Sequence, residues 1–314
     1  SEILPVSLTG VAVEDCTQKL GLNELPFGTE REVIRLLIDA HHHLWEYNSR
    51  DHAWMTGPME PLSHNFLAPE LEKVMHESGI DGTVAVQASQ NIEETEWLLR
   101  LAANHPFIHG VVGWVPLIDP AVDSTLEQLA GNPHLKSIRH VLQSEPDERY
   151  MLREDFNRGV SLLRNYGLAY DILIFERHLP QTMQFVDRHP NQIFVLNHIA
   201  KPRICDRAIS PWREQMTELA ERENVYCKVS GMVTEADWSN WTIADLRPYF
   251  DVVRAAFGPK RLMFGSDWPV VTLAGGYSKW MAAFCSLIKE LSEEEQARIR
   301  SGTAIAAYGL NVTG

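Results

Sequence analysis

Asp39, His41 and His43 stand in the stretch LLIDAHHHLW, from Leu36 to Trp45, and have the types and spacing for metal binding or proton transfer. An apolar run that ends in an acid and three histidines reads as a strand running out of a core. Side chains two positions apart share a face of a strand, so His41 and His43 point together and His42 points away. Two imidazoles brought to one point can hold a metal or act as a general base. A second candidate lies far down the chain, Asp267 in Gly265-Ser266-Asp267-Trp268-Pro269. A carboxylate in a tight turn between aromatic and proline groups is expected to lose water, which raises its pKa and suits a general base. An Asx-turn acid is the plainer alternative.

These residues matter only if structural elements bring them together. From residue 33 onward, short runs rich in Val, Ile, Leu and Phe alternate with helical segments. Strands are expected in the run before His41 and at residues 83–86, 108–114, 135–139, 169–174, 193–196, 225–229 and 261–264, with a helix after each. A wet aromatic loop, residues 46–67, follows the first strand and is expected to wall a site. Ser292 and Glu295 have capping-box spacing and open a last helix expected to reach Tyr308. Strands buried on both faces and strictly alternating with helices imply parallel connection. Eight such units close as a (β/α)8 TIM barrel. A doubly wound sheet would want a glycine-rich phosphate turn after the first strand, where this chain has histidines.

In a barrel, side chains just past the carboxyl ends of the strands share one face. Here they are His41 and His43, Gln87, Trp114, Arg139 and His140, Arg177 and His178, His198, Lys228 and Ser230, and Asp267. Singly, each has a bland reading: His178 as a helix cap, Arg177 paired with a surface acid, Lys228 solvated. Together they exceed what packing requires. The remaining histidines fall off this register.

Composition narrows the class. The chain has 314 residues and a net charge of -14, which argues against nucleic acid or an anionic membrane as partner. No apolar run approaches the roughly 18 residues of a membrane span. The start lacks the pattern of a secretory signal, and Cys16, Cys205, Cys227 and Cys285 form no CxxC pair. A cytoplasmic protein with free thiols is expected. Residues 1–32 read as an N-terminal extension, with a short strand near residues 6–13, and residues 33–314 as the barrel domain.

The motifs His41-x-His43, LNHIAKP around His198 and MFGSDWP around Asp267 resemble the amidohydrolase superfamily. The fuller set is DAHHHLW, TVAVQAS with EETEWLL, VVGWVPL, IRHVLQSEPD, LIFERHLP, CKVSGMVTEADW and RLMFGSDWPV. It is similar to the sugar-lactonase branch, which includes L-fuconolactonases, L-rhamnonolactonases and pyrone-dicarboxylate lactonases, from about Leu36 to Tyr308. The resemblance implies a barrel that hydrolyses a sugar lactone to a hydroxy acid. Asp267 would activate water and return a proton to the leaving alkoxide. His41, His43 and His198 would polarise the carbonyl, directly or through a metal. Arg139, His140, Gln143, Arg177, His178 and Gln87 are candidates for substrate hydroxyls or a carboxylate. Trp45 and Trp268, with Trp54, Trp114 and Trp238, suit stacking on a sugar ring.

One divalent ion, zinc first, could be held by His41, His43 and Asp267 with a position open to water. Binuclear relatives carry a lysine at the end of the fourth strand, where this chain has Ser137-Ile138-Arg139-His140. A bridged pair of metals is therefore not expected. A metal-dependent decarboxylase, a dicarboxylate lactonase and a barrel that only binds ligand are the alternatives. A homo-oligomer is left open.

Overall fold

Eight short strands pair in sequence order into one parallel sheet. The computed structural model describes residues 36–312, so the extension and its expected strand lie outside the described residues. The strands are β1 Ile38–His42, β2 Gly82–Val86, β3 Ile108–Gly113, β4 Leu135–His140, β5 Ala169–Ile172, β6 Phe194–Leu196, β7 Val225–Val229 and β8 Leu262–Phe264. The helices between them are α1 Ala68–Ser78, α2 Ile92–Asn104, α3 Val122–Ala130, α4 Glu154–Leu163, α5 Leu179–Asp187, α6 Trp212–Leu219 and α7 Ile243–Phe257. After β8 come α8 Tyr277–Ile288, α9 Glu293–Ala297 and α10 Thr303–Tyr308.

The ring closes just past β8. Asp267 N donates to His41 O at 2.7 Å and His43 N donates to Trp268 O at 2.6 Å. The architecture is the expected (β/α)8 barrel, and its closing hydrogen bonds join the histidine run at the end of β1 to the Gly-Ser-Asp-Trp-Pro turn after β8. Every residue of β1 and β2 is buried, as strands covered on both faces must be.

Apolar packing falls into two bodies. A large one joins the outer faces of the strands to the helices. A smaller one gathers Ile38, Val84, Val112, Ala169, Val195 and Met263 with Ala304, Ala307, Tyr308 and Leu310. The C-terminal segment thus packs against the inward side chains of the strands. The helix expected from Ser292 to Tyr308 is broken by a π-helical turn over Arg298–Gly302. Ser301 Oγ bonds back to Ala297 O there, and an adjacent serine and glycine are a common cause of such breaks.

The loop after β1 is pinched by reciprocal bonds between Trp45 and Phe66, each 3.0 Å. Cys205 and Cys227 carry free thiols, whereas Cys285 is disulfide-bonded, a departure from the expectation of free thiols throughout. Among the described residues no helix is long and apolar enough to cross a membrane.

Candidate active site

β1 delivers His41 as its last residue but one, and His43 follows one residue past its end. Both converge on Asp267, whose Oδ1 lies 3.7 Å from His41 Nε2 and 3.4 Å from His43 Nε2. His198 Nε2 is 3.8 Å from the same oxygen. His42 points away, as the strand period requires, and its Nε2 pairs with Thr83 Oγ1 at 3.0 Å.

The register of the two motifs is held by Asp39. Its carboxylate accepts from His41 N at 3.1 Å, Ser266 N at 2.8 Å and Tyr277 OH at 2.9 Å. One buried acid thereby ties the β1 histidines to the turn that carries Asp267. Burial pushes the Asp39 pKa up to about 6, against the pull of these hydrogen bonds.

His198 comes from an unusual piece of backbone. His198, Ile199, Ala200 and Lys201 all have positive φ, between 48° and 61°. Four successive non-glycine residues in the left-handed region are costly. The turn sets His198 and Lys201, three residues apart, both in the cavity wall. Gly231, at φ +62°, makes room for it, because a Cβ there would lie 2.5 Å from His198 Nδ1. Ser230 Oγ meets that same nitrogen at 2.9 Å.

Burial, with Lys228 as the next cause, holds the His41 pKa well below its usual range. Burial also lowers His43 and takes His198 to about 3. All three imidazoles are therefore neutral at pH 7. Asp267 departs from expectation. Burial pushes its pKa up, but His198, His43 and Lys201 outweigh that, and the net shift is downward. The turn does desolvate the carboxylate, and the sequence around it could not reveal the polar groups gathered from other strands.

The cluster lies at one side of a cavity of about 450 Å³ lined by His43, Arg139, Gln143, His198, Lys201 and Asp267, among others. That volume suits a small molecule. Arg139 is buried, donating through Nη2 to Gln87 O and to Gln87 Oε1, and through Nη1 to Asn197 Oδ1 at 3.1 Å. Arg139 Nε and Gln143 Oε1 are buried without a hydrogen-bond partner.

The other sequence candidates stand outside this wall. Gln87 orients Arg139 from behind. His140 is held by Glu145 at 2.6 Å and stacks on Tyr150. Arg177 pairs with Glu148 at 3.0 Å on the surface, over the Phe175 ring. His178 is buried, and its Nδ1 accepts from Phe175 N at 3.2 Å. Trp45 and Trp268 are core residues packed around Phe66. Trp54, from the loop after β1, lines the cavity instead.

Lys201 was not singled out from the sequence, although it stands in the LNHIAKP motif. Its Nζ is 3.9 Å from Glu235 Oε1. Glu94, an acid in the first turn of α2, is a second such residue. It accepts from Ala88 N and Ser89 N at 3.1 and 2.7 Å, fixing the β2–α2 loop of the wall.

His41, His198 and Asp267 offer ligand atoms all within 4.8 Å of one another. With His43 Nε2 only 3.2 Å from His41 Nε2, three imidazoles and a carboxylate surround one point. Donor types and spacing fit one zinc ion, with His198 joining the expected three.

Comparison with known proteins shows the family. An amidohydrolase family profile matches residues 38–310. An L-fucono-1,5-lactonase of Burkholderia multivorans is 39% identical over 290 residues, covering 88% of this chain and 96% of that protein. An L-fucono-1,5-lactonase of Burkholderia ambifaria is 34% identical, covering 87% and 96%. A crystal structure of a Burkholderia multivorans amidohydrolase with bound zinc superposes with a TM-score of 0.85 at 37% identity, covering 88% of this chain and all of that one. A profile match running from β1 to the end of the C-terminal helix leaves one conclusion: this chain belongs to the amidohydrolase family.

Proposed function

We propose that this protein hydrolyses a sugar lactone to the open hydroxy acid, with an L-fucono-1,5-lactone as the first substrate to try. The observation that carries the reading is one ionised carboxylate, Asp267, within 3.4 to 3.8 Å of three neutral imidazoles beside a sugar-sized cavity. The two L-fucono-1,5-lactonases that cover most of the chain support the substrate class.

Asp267 takes a proton from water as its oxygen adds to the lactone carbonyl carbon. The carbonyl oxygen becomes an oxyanion, and the cationic side chains of Arg139 and Lys201 in the wall stabilise that charge. The ring C–O bond then breaks, and Asp267 returns its proton to the departing alkoxide. A zinc ion held by His41, His43, His198 and Asp267 would add carbonyl polarisation when bound. Arg139 Nε and Gln143 Oε1, a donor and an acceptor still unpaired, suit the ring hydroxyls. Trp54 suits the sugar face. A net charge of -14 accompanies a small-molecule rather than a nucleic-acid partner, in keeping with a cytoplasmic enzyme.

The test is proton release on a panel of sugar and dicarboxylate lactones, with and without chelator, in weakly buffered indicator. Turnover of one stereochemical series of aldonolactones is expected. Activity on none of them would end the proposal.

A further inference from the structure

Beneath the histidines lies a charged side chain for which the hydrolytic reading has no use. Lys228 of β7 is fully buried, not solvated as a lysine at a strand end would suggest. Its ammonium donates to Asp171 Oδ2 at 2.8 Å and meets His41 Nδ1 at 3.4 Å. Asp171 also accepts from Ser137 Oγ at 2.7 Å, Asn197 Nδ2 at 2.8 Å and Tyr308 OH at 2.9 Å. Burial pulls the Lys228 pKa down and Asp171 opposes it; the 2.8 Å contact with that carboxylate is an ion pair, and an ammonium has no lone pair to offer. His41 Nδ1 must then be the acceptor, which leaves the ring proton of the neutral imidazole on Nε2.

His43 gives an independent check. Its Nδ1 is 2.7 Å from Val86 O. A carbonyl only accepts, so Nδ1 carries the proton and Nε2 is bare. The two Nε2 atoms of His41 and His43 are 3.2 Å apart, so with no ion between them one must donate, and His43 cannot. In the order Lys228 to His41 to His43 to Val86, every donor faces an acceptor. The opposite tautomer of His41 would set two lone pairs against each other and an N–H against an ammonium. Its one gain, an acceptor for Arg139 Nη1 at 3.4 Å, goes to a group that already donates to Asn197.

We propose that Lys228 is a positioning residue that locks His41 in its Nε2–H tautomer, making His41 a hydrogen-bond donor at the reacting centre and opposing its use as a metal ligand. A ligating histidine needs a bare nitrogen toward the ion and an acceptor for its other N–H. His43 meets both conditions, whereas His41 can turn a bare Nε2 to an ion only by setting its other N–H against the Lys228 ammonium. For Nε2 of His41 to face an ion, its ring proton moves to Nδ1, the imidazole staying neutral, and lands against the ammonium. Lys228 thus sets the affinity of the cluster for a divalent ion from below, and it supplies the developing oxyanion with one more donor.

This rests on reading the histidines as the reacting cluster, but both tests run without substrate, so a failed lactone screen leaves them intact. The first is nitrogen-15 and carbon-13 NMR of the histidine-labelled, chelator-treated full chain, with His41 assigned by its loss in His41→Gln. The Nε2–H form is expected, and an Nδ1–H form overturns the proposal. The second is zinc affinity by chelator competition in Lys228→Met/Asp171→Asn, which removes the cation and its counter-charge together. Binding about tenfold tighter than wild type, or more, is expected, and unchanged affinity in a folded variant overturns the proposal. If the double variant does not fold, the NMR result on the wild type decides alone.

Discussion

At the scale of single residues, the site depends on one carboxylate staying charged while almost fully buried. Asp267 keeps its pKa low because His198, His43 and Lys201 surround it, despite the opposing effect of burial. It is therefore ionised at pH 7 and free to take a proton, at the cost of being a weak base. Asp267→Asn keeps the shape and removes the proton acceptor. Its kcat should fall by about 10² to 10⁴-fold, the usual range for acid–base catalysis, with folding judged by circular dichroism. A folded variant that turns over as fast as wild type would remove the carboxylate from the chemistry. The identities of Asp267, His41 and His43 were legible because each sits in a short motif at a strand end. Lys201 and Glu94 were not. Their roles come from a left-handed turn and from a loop folded back onto a helix, and neither leaves a pattern in the letters.

At the scale of elements, the barrel was readable because alternating apolar runs and helical segments follow from burial of the strands on both faces. The boundaries were less so. β5 ends at Ile172 and β6 begins at Phe194, each inside the expected run, because the outer residues of those runs serve the connections. The four residues from His198 to Lys201 gave no sign of their backbone, since none is glycine. Their cradle can be tested at Gly231. Gly231→Ala adds a methyl that must displace the His198 ring and occupies a positive-φ position. It should cost about 1–2 kcal/mol in urea unfolding and, by moving a reacting group, about 10²-fold in kcat. Wild-type kcat in this variant would mean that the ring position is not critical.

At the scale of the whole molecule, buried ionisable groups make folding stability depend on pH in two opposing ways. Glu94 is lifted by burial to about 7 from an ordinary 4.5. The folded state then holds a proton that the unfolded state has released, so this stabilising contribution is complete below about pH 4.5 and is lost as pH rises through 7. His42 and His198, lowered by burial to about 3, work the other way and destabilise the fold as pH falls below 6.5. Glu94→Gln isolates the first effect. The difference in unfolding free energy between wild type and variant should change by at most about 1.4 kcal/mol per pH unit between pH 4.5 and 7. A constant difference across that range would mean that Glu94 does not titrate there. One further consequence follows from Tyr308, whose hydroxyl reaches from α10 to Asp171. The counter-ion under the histidines is completed by a residue that follows all eight strands in the chain. Pairing of the eight strands therefore leaves the support of the histidine face incomplete until α10 has docked against it.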